Sequence, residues 1–168
     1  MNNDFEDLLD NETGPGTMFN NICNVKIKKL YPDAHLPTRG SAAAAGWDLY
    51  AYLPEGLIEI FPHDTVKIKT GLAMAIEDGW EGEIRPRSGL ATKKGVRPAN
   101  SPGTIDSDYR GEIIVALHND TYERVEITNG ERIAQMLFNR VPIVVWQEVE
   151  ELNDTDRGSG GFGSTGEK

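Results

Sequence analysis

The sequence predicts an all-β domain, a sandwich or barrel of many short strands. Three observations lead to this prediction. Apolar and polar residues alternate with a period of two in several segments, among them 25–28 and 66–69. Turn-forming Gly, Pro, Asn and Asp residues separate these segments. No window of about twelve residues carries a convincing apolar stripe at helical spacing.

The elements follow one another in short steps along the chain. We predict strands over 25–28, 57–61, 66–69, 72–76, 81–85, 112–117, 124–127, 133–138 and 144–149, with a further strand around Asp48. The best helical segment is short, 89–94, and Ser88 precedes it in the N-cap position. Asn129 and Gly130 both tolerate positive φ, so they predict a hairpin between the strands on either side.

Composition and charge limit the range of functions. A chain of 168 residues is most simply one domain. The net charge is −10 and five acidic residues lie among the first twelve, so we expect no nucleic acid as a partner. No apolar run approaches roughly 18 residues, which argues against a membrane span. The single cysteine, Cys23, excludes an internal disulfide and fits a cytoplasmic location.

Five motifs carry the chemistry. They read A-G-W-D-L-Y-A (45–51), R-P-R-S-G-L-A (85–91), N-S-P-G-T-I-D-S-D-Y-R-G (100–111), G-E-R-I-A-Q (130–135) and R-G-S-G-G-F-G-S-T-G (157–166). In this order, with nothing large inserted between them, they resemble the motifs of the trimeric dUTPase family. The resemblance implies a jelly-roll-like, distorted β-barrel that forms a homotrimer with active sites shared between subunits. It also implies Mg²⁺-assisted hydrolysis of dUTP to dUMP and diphosphate.

The chain divides into three parts in this interpretation. Residues 1–21 are acidic and interrupted by Gly and Pro, so we expect a flexible N-terminal arm. Residues 22–151 form the β-barrel domain. Residues 152–168 contain five glycines and form a flexible C-terminal arm, which the resemblance implies closes over the active site.

Asp106 is the candidate general base. Outside any family context, Asp106-Ser107-Asp108 is ordinary turn chemistry. A base that activates water must be held within hydrogen-bond reach of it, and Pro102 and the flanking strands supply rigidity. The resemblance implies that Asp106 orients and deprotonates the water that attacks the α-phosphate, whereas we interpret Asp108 as structural.

The same motif supplies the candidate nucleoside pocket. The resemblance implies that Tyr109 lies under the deoxyribose and excludes a 2′-hydroxyl, an oxygen without a hydrogen-bond partner there. It also implies that Asn100 and the neighbouring backbone read uracil and that Phe162 stacks on the base. Outside the family context, Tyr109 is a core aromatic and Asn100 a turn residue. The predicted uracil and deoxyribose contacts are Asn100, Gly103, Thr104, Ile105, Tyr109 and Phe162.

A second group of residues is expected to bind phosphate. Ser88 opens the short helix, where its hydroxyl and the free N–H groups form an anion site, and Arg87 can fork onto phosphate oxygens. The resemblance implies that Gln135 lies near the α-phosphate and Arg157 near the γ-phosphate. The complete predicted set is Arg87, Ser88, Gly89, Gln135, Arg157, Ser164 and Thr165.

The resemblance also implies that Asp48 acts on Mg²⁺ indirectly, through water. Mg²⁺ keeps several waters and binds mainly to substrate phosphates, so no cluster of protein ligands is expected. The simpler interpretation of Asp48 is a solvent-facing position on an edge strand. His35, His63 and His118 are isolated in the sequence and show no zinc spacing.

Two alternatives stay open. A dCTP deaminase shares the fold, but such proteins tend to show R-S-S-L-A-R and D-P-G-F-x-G-like segments. Here the corresponding segments are Ser88-Gly89-Leu90-Ala91 and Asp106-Ser107-Asp108-Tyr109, which disfavours deamination. The other alternative is a nucleotide-binding trimer that senses dUTP and acts on protein partners. The acidic N-terminal arm is the only sequence feature in its favour.

Overall fold

The structure is a computed structural model that describes residues 22–161. This range contains eleven strands and one helix. In chain order they are β1 (Val25–Lys29), β2 (Thr38–Arg39), β3 (Trp47–Tyr50), β4 (Leu57–Ile60), β5 (Thr65–Ile76), β6 (Trp80–Arg85), α1 (Ser88–Lys94), β7 (Val96–Pro98), β8 (Gly103–Ile105), β9 (Glu112–Asn119), β10 (Val125–Thr128) and β11 (Arg132–Arg140). The prediction of an all-β fold with one short helix is therefore confirmed.

The strands form two main sheets and one small pair, and all of their pairings are antiparallel. A four-stranded sheet has the order β1-β5-β9-β7, and a five-stranded sheet has the order β2-β3-β11-β6-β8. Strands β10 and β4 pair with each other. Sequence neighbours therefore often lie in different sheets, as in a jelly roll.

Strand β5 shows why pattern alone divides a strand incorrectly. The segments 66–69 and 72–76 were predicted as two strands, but they form one strand of 12 residues. Its pairing with β9 shifts register between Lys69 and Ala73, and Gly71 lies there at a φ of 71°. The irregularity bends the strand without ending it, because β1 continues to pair along its second half.

Two sequence-based predictions are wrong. The segment 144–149 forms no strand, and its apolar side chains are exposed. Asn129 and Gly130 do form a turn, with Glu131 N–H donating to Thr128 O at 3.1 Å. This turn does not form a hairpin, because β10 and β11 belong to different sheets. Asn129 Oδ1 accepts a hydrogen bond from Leu53 N–H at 2.8 Å, which holds the connection between β10 and β11 against the loop between β3 and β4.

The core lies between the sheets. Each buried aliphatic side chain contributes about 1.5–3 kcal/mol relative to an exposed one. The large fully buried apolar side chains are Leu49, Ile60, Ile68, Leu72, Val96, Ile113, Val115, Leu117, Ile127, Ile133 and Met136. All three groups of strands supply members, so the core joins the sheets into one unit. The single helix in the described range is much too short and polar to cross a bilayer.

Asn119, at the end of β9, is a buried polar junction within this core. Its Nδ2 donates to Ile60 O at 3.0 Å and to Glu123 O at 2.7 Å. Its Oδ1 accepts from both the N–H and the hydroxyl of Thr121, at 2.9 and 2.8 Å. The side chain thus replaces strand pairing where β9 ends, and it holds the small β4–β10 pair against the four-stranded sheet.

We expect Asn119→Ala to lower the free energy of unfolding by about 3 kcal/mol, because the buried Ile60 O and the partly buried polar groups of Thr121 and Glu123 lose their hydrogen-bond partner. Urea denaturation followed by tryptophan fluorescence measures the change. Asn153→Ala is the matched control, since Asn153 is exposed and bonds only to the neighbouring Asp154 carbonyl. Equal stability of the two variants would contradict the role of Asn119.

Candidate active site

The loop after β8 brings Asp106 and Tyr109 to one cavity. Strand β8 pairs with β6, and the chain then turns so that Tyr109 N–H donates to Asp106 O at 3.1 Å. The cavity has a volume of about 240 Å³. Six predicted site residues line it, namely Asn100, Gly103, Thr104, Ile105, Asp106 and Tyr109. The structure therefore gathers these six predicted residues around one concave surface.

Further contacts hold this loop. The Tyr109 hydroxyl donates to Glu112 O at 3.1 Å. The Arg110 guanidinium donates to Ser107 O and Tyr109 O at 2.6 and 2.9 Å. Glu112 also binds the bent part of β5, where its Oε1 accepts from Gly71 N–H at 2.9 Å. Glu112 thereby connects the turn at residues 106–109 to the irregular part of β5.

A second group of polar residues centres on Asp48. This residue lies in the interior of the five-stranded sheet, between β2 and β11, and is 9% exposed. Its two carboxylate oxygens accept from Arg87 Nε at 2.7 Å and Arg132 Nη1 at 3.1 Å. The solvent-facing edge position considered for Asp48 is therefore wrong. One carboxylate and two guanidinium groups leave this cluster with a net positive charge.

Gln135 joins the same cluster through the register of β11. It pairs with Asp48 on β3 and with Arg85 on β6. Its Nε2 donates to Pro86 O at 2.9 Å, which holds the segment that leads into the helix. Gly46 makes room for this side chain, because a Cβ at that position would overlap Gln135 Oε1. The alternative of a simply exposed strand amide does not describe Gln135.

The helix begins one residue earlier than predicted. Ser88 is its first residue, and Arg87 occupies the N-cap position without a side-chain capping bond. The prediction of Ser88 as N-cap is therefore wrong by one residue. The Arg87 side chain is drawn to Asp48 and to the Arg132 carbonyl instead, at 2.7 and 3.1 Å. Ser88 and Gly89 are exposed at the open end of the helix.

The two groups of residues stay apart within one chain. A second, more open concavity is lined by Arg87, Lys93, Lys94 and Arg132, and also by one carboxylate, Glu131, which pairs with Lys94. No described residue lines both this concavity and the Asp106 cavity. A single copy therefore presents a basic surface and a separate loop cavity.

The last predicted site residues belong to the C-terminal motif. Arg157 is exposed, and its Nε donates to Gly160 O at 2.9 Å, within a local turn. Phe162, Ser164 and Thr165 lie outside the described residues. Arg157 lines neither the Asp106 cavity nor the basic concavity. Its predicted phosphate contact therefore requires the C-terminal arm to take another position.

Sequence reasoning missed Arg132 and Glu112. Arg132 lies inside the G-E-R-I-A-Q motif, so the motif itself was a signal, but its pairing with Asp48 across 84 positions is visible only in the fold. Glu112 directly follows the D-Y-R-G segment and lines the Asp106 cavity. Among residues 22–161, no group of three or more His, Cys, Asp or Glu side chains is arranged to hold a metal ion.

We expect Asp48→Ala to destabilise the fold by about 1–3 kcal/mol, because it leaves two guanidinium groups facing each other in a partly buried site. The free energy of unfolding in urea measures this. Glu59→Ala is the control, since it removes a more exposed ion pair with Arg124 and should cost less than about 1 kcal/mol. A smaller effect at Asp48 than at Glu59 would contradict the assigned importance of the cluster.

Comparisons with known proteins cover most of the chain. The family model for dUTPase matches residues 32–166. A deoxyuridine 5′-triphosphate nucleotidohydrolase of Nautilia profundicola is 54% identical over 142 residues, which covers 84% of this chain and 98% of that relative. The protein of the same name from Wolinella succinogenes is 51% identical over 142 residues, covering 84% of this chain and 93% of the relative.

A solved structure is similar in fold. The Staphylococcus bacteriophage 80alpha dUTPase, solved with dUPNHPP, superimposes with a TM-score of 0.76 at 26% identity, covering 85% of this chain and 98% of that chain. The residues that the family model matches, 32–166, include all five sequence motifs, and with them the Asp106 loop and the Asp48 cluster. The chain therefore belongs to the dUTPase family.

Proposed function

We propose that this protein hydrolyses dUTP to dUMP and diphosphate. The observation that carries the proposal is the shared cavity of Asp106, Tyr109 and Asn100, because it combines a carboxylate base with an aromatic ring and an amide. Water adds to the α-phosphorus through its oxygen, and the bond from that phosphorus to the α,β-bridging oxygen breaks. Diphosphate leaves, and Asp106 accepts the proton of the attacking water.

Nucleoside selection is assigned to the same cavity. Asn100 and the backbone of 103–105 offer amide donors and acceptors for the polar edge of uracil. The ring of Tyr109 forms the floor for the deoxyribose, and an added 2′-hydroxyl would meet a carbon surface that offers it no partner. Phe162 is proposed to stack on the base from the C-terminal arm.

Phosphate binding is assigned to the Asp48 cluster and the start of the helix. Arg87, Ser88, Gly89 and Gln135 would act on the phosphates, with Arg157, Ser164 and Thr165 contributed by the arm. The excess positive charge of Arg87 and Arg132 over Asp48 favours a trianionic or tetra-anionic chain of phosphates. Donors aimed at the developing charge of the leaving group are typically worth about 3–4 kcal/mol each.

A Mg²⁺ ion is proposed to accompany the triphosphate. When bound, this ion neutralises phosphate charge and orients the reacting groups. The residues of the Asp48 cluster fit an indirect role. A carboxylate has about four lone-pair sites, and Arg87 and Arg132 use one on each oxygen, so Asp48 keeps acceptor capacity for water held by the ion. Family membership supports the same assignment.

We propose a homotrimer in which one active site draws on more than one subunit. The separation of the Asp106 cavity from the basic concavity supports this, since a small nucleotide must touch both groups. The exposed apolar segment after β11 also supports it. Ile143, Val145, Trp146 and Leu152 are 96%, 86%, 91% and 86% exposed in the single chain, which is unusual unless another copy covers them.

The division of the chain follows the same proposal. Residues 22–151 form the body and residues 152–168 act as the arm that closes on substrate. That residues 1–21 form a flexible acidic arm stays a prediction. In the cell, the activity would keep dUTP low and supply dUMP for dTTP synthesis. The single cysteine and the nucleotide substrate support a cytoplasmic location.

The first test is diphosphate release from dUTP, dCTP, dTTP and UTP, with and without Mg²⁺. We expect turnover of dUTP only, with strong dependence on Mg²⁺.

Asp106→Asn should keep nucleotide binding and lose most of the turnover, because the amide cannot accept the proton. Asp108→Asn is the control on the same turn. Ammonia release from dCTP would instead favour the deaminase, and unchanged hydrolysis by Asp106→Asn would remove the base assignment.

A mixing experiment tests the shared site. Asp106→Asn and a chain ending at Asp156 should each be nearly inactive. Refolded together in equal amounts, they should recover about one quarter of the wild-type sites, because a site then combines an intact base from one subunit with an intact arm from another. Refolding each variant alone is the control. No recovery in verified mixed trimers would place base and arm in the same chain.

A further inference from the structure

The ring of Tyr109 lies directly over the backbone of Gly111. A Cβ built at position 111 would stand 2.6 Å from Tyr109 Cζ and 3.0 Å from Cε2, and still nearer to the phenol oxygen. Such separations are far inside the ordinary carbon contact distance of about 3.5–4.0 Å. The absent side chain at position 111 therefore creates the space that the ring occupies.

The backbone at Gly111 does not itself require glycine. The glycines of the described range with positive φ are at other positions, so an alanine at 111 meets no penalty from left-handed backbone. The constraint comes from the Tyr109 ring alone among the three nearest contacts. Gly111 differs in this respect from Gly71, where φ is 71° and several neighbours crowd the Cβ position.

The folded-back ring is also held from its far end. Its hydroxyl donates to Glu112 O at 3.1 Å, one residue beyond Gly111. The turn that precedes it is closed by the bond from Tyr109 N–H to Asp106 O and braced by Arg110. With the loop fixed at both ends, a new atom under the ring must be accommodated mainly by movement of the ring itself.

We propose that Gly111 is a positioning residue for sugar selection, because it sets how deeply the ring of Tyr109 lies beside the Asp106 cavity. The inference rests on the proposed function and assigns a determinant of its selectivity. A dUTP molecule and a UTP molecule differ by one hydroxyl group, and its rejection depends on contact without a gap. A ring displaced by a methyl group would no longer make that contact.

The test is a double-mutant cycle. Gly111→Ala is made in the presence of Tyr109 and again in a Tyr109→Leu background, and the ratio of kcat/KM for dUTP to that for UTP is measured for all four proteins. With Tyr109 present, Gly111→Ala should lower this ratio roughly tenfold or more. In the leucine background it should have no further effect, because the ring that it displaces is absent.

Gly40→Ala is the matched control, since a Cβ at that position would have no atom within 4 Å outside its own residue and its two chain neighbours. An unchanged ratio in Gly111→Ala, or an equal loss in both backgrounds, would overturn the inference, because either result shows that position 111 does not act through the ring. The mere loss of fold stability would lower kcat/KM for both nucleotides alike and leave their ratio unchanged.

Tyr109→Phe keeps the inference testable if Gly111→Ala fails to fold. It preserves Gly111 and the ring but removes the bond to Glu112 O, so a smaller loss of selectivity in the same direction is expected. Full selectivity in Tyr109→Phe together with an unfolded Gly111→Ala would overturn the inference. A wild-type protein that does not hydrolyse dUTP would remove the proposed function itself, which the cycle therefore tests separately.

Discussion

The pairing of β11 with β3 on one side and β6 on the other is the constraint on which the Asp48 cluster depends. Its register sets Gln135 beside both Asp48 and Arg85. Three motifs that are far apart in the sequence therefore meet on one sheet. A shift by one residue would reverse the faces of these side chains and separate the carboxylate from its guanidinium partners.

The Asp48 cluster follows from that register, and its opposite charges stabilise one another. Two guanidinium groups next to each other repel, and a carboxylate buried alone would be costly. Together they balance enough charge to be stable and still leave the surface basic. Arg87 is more buried than Arg132, with side-chain exposures of 24% and 49%, so the two arginines are not equivalent toward solvent.

The Asp106 loop relies on a different principle. It is held by backbone and side-chain hydrogen bonds within a short segment, from Asp106 to Glu112, and by close approach of an aromatic ring to a glycine. A loop supported in this way can hold an exposed carboxylate and an aromatic ring in place without being buried. The Asp106 cavity and the basic concavity share no lining residue. This is the physical reason for proposing that residues of more than one subunit form each active site.

The class of fold, most of the strands and the motif residues could be predicted from the sequence, because alternation, turn chemistry and the motifs are local. The sequence could not separate 144–149 from a true strand, since a segment rich in valine and aromatic residues looks the same whether or not a partner strand is present. It also predicted a hairpin at Asn129 and Gly130, where the chain instead crosses between sheets.

Which of these residues come together depends on the fold. The burial of Asp48, its two arginine partners, the bond of Gln135 to Pro86 and the contact between Tyr109 and Gly111 depend on strand register and on packing of distant segments. These contacts join positions up to 84 residues apart in the sequence. Local pattern carries no information on such distances, because side-chain contacts are set by how the sheets stack and not by spacing along the chain.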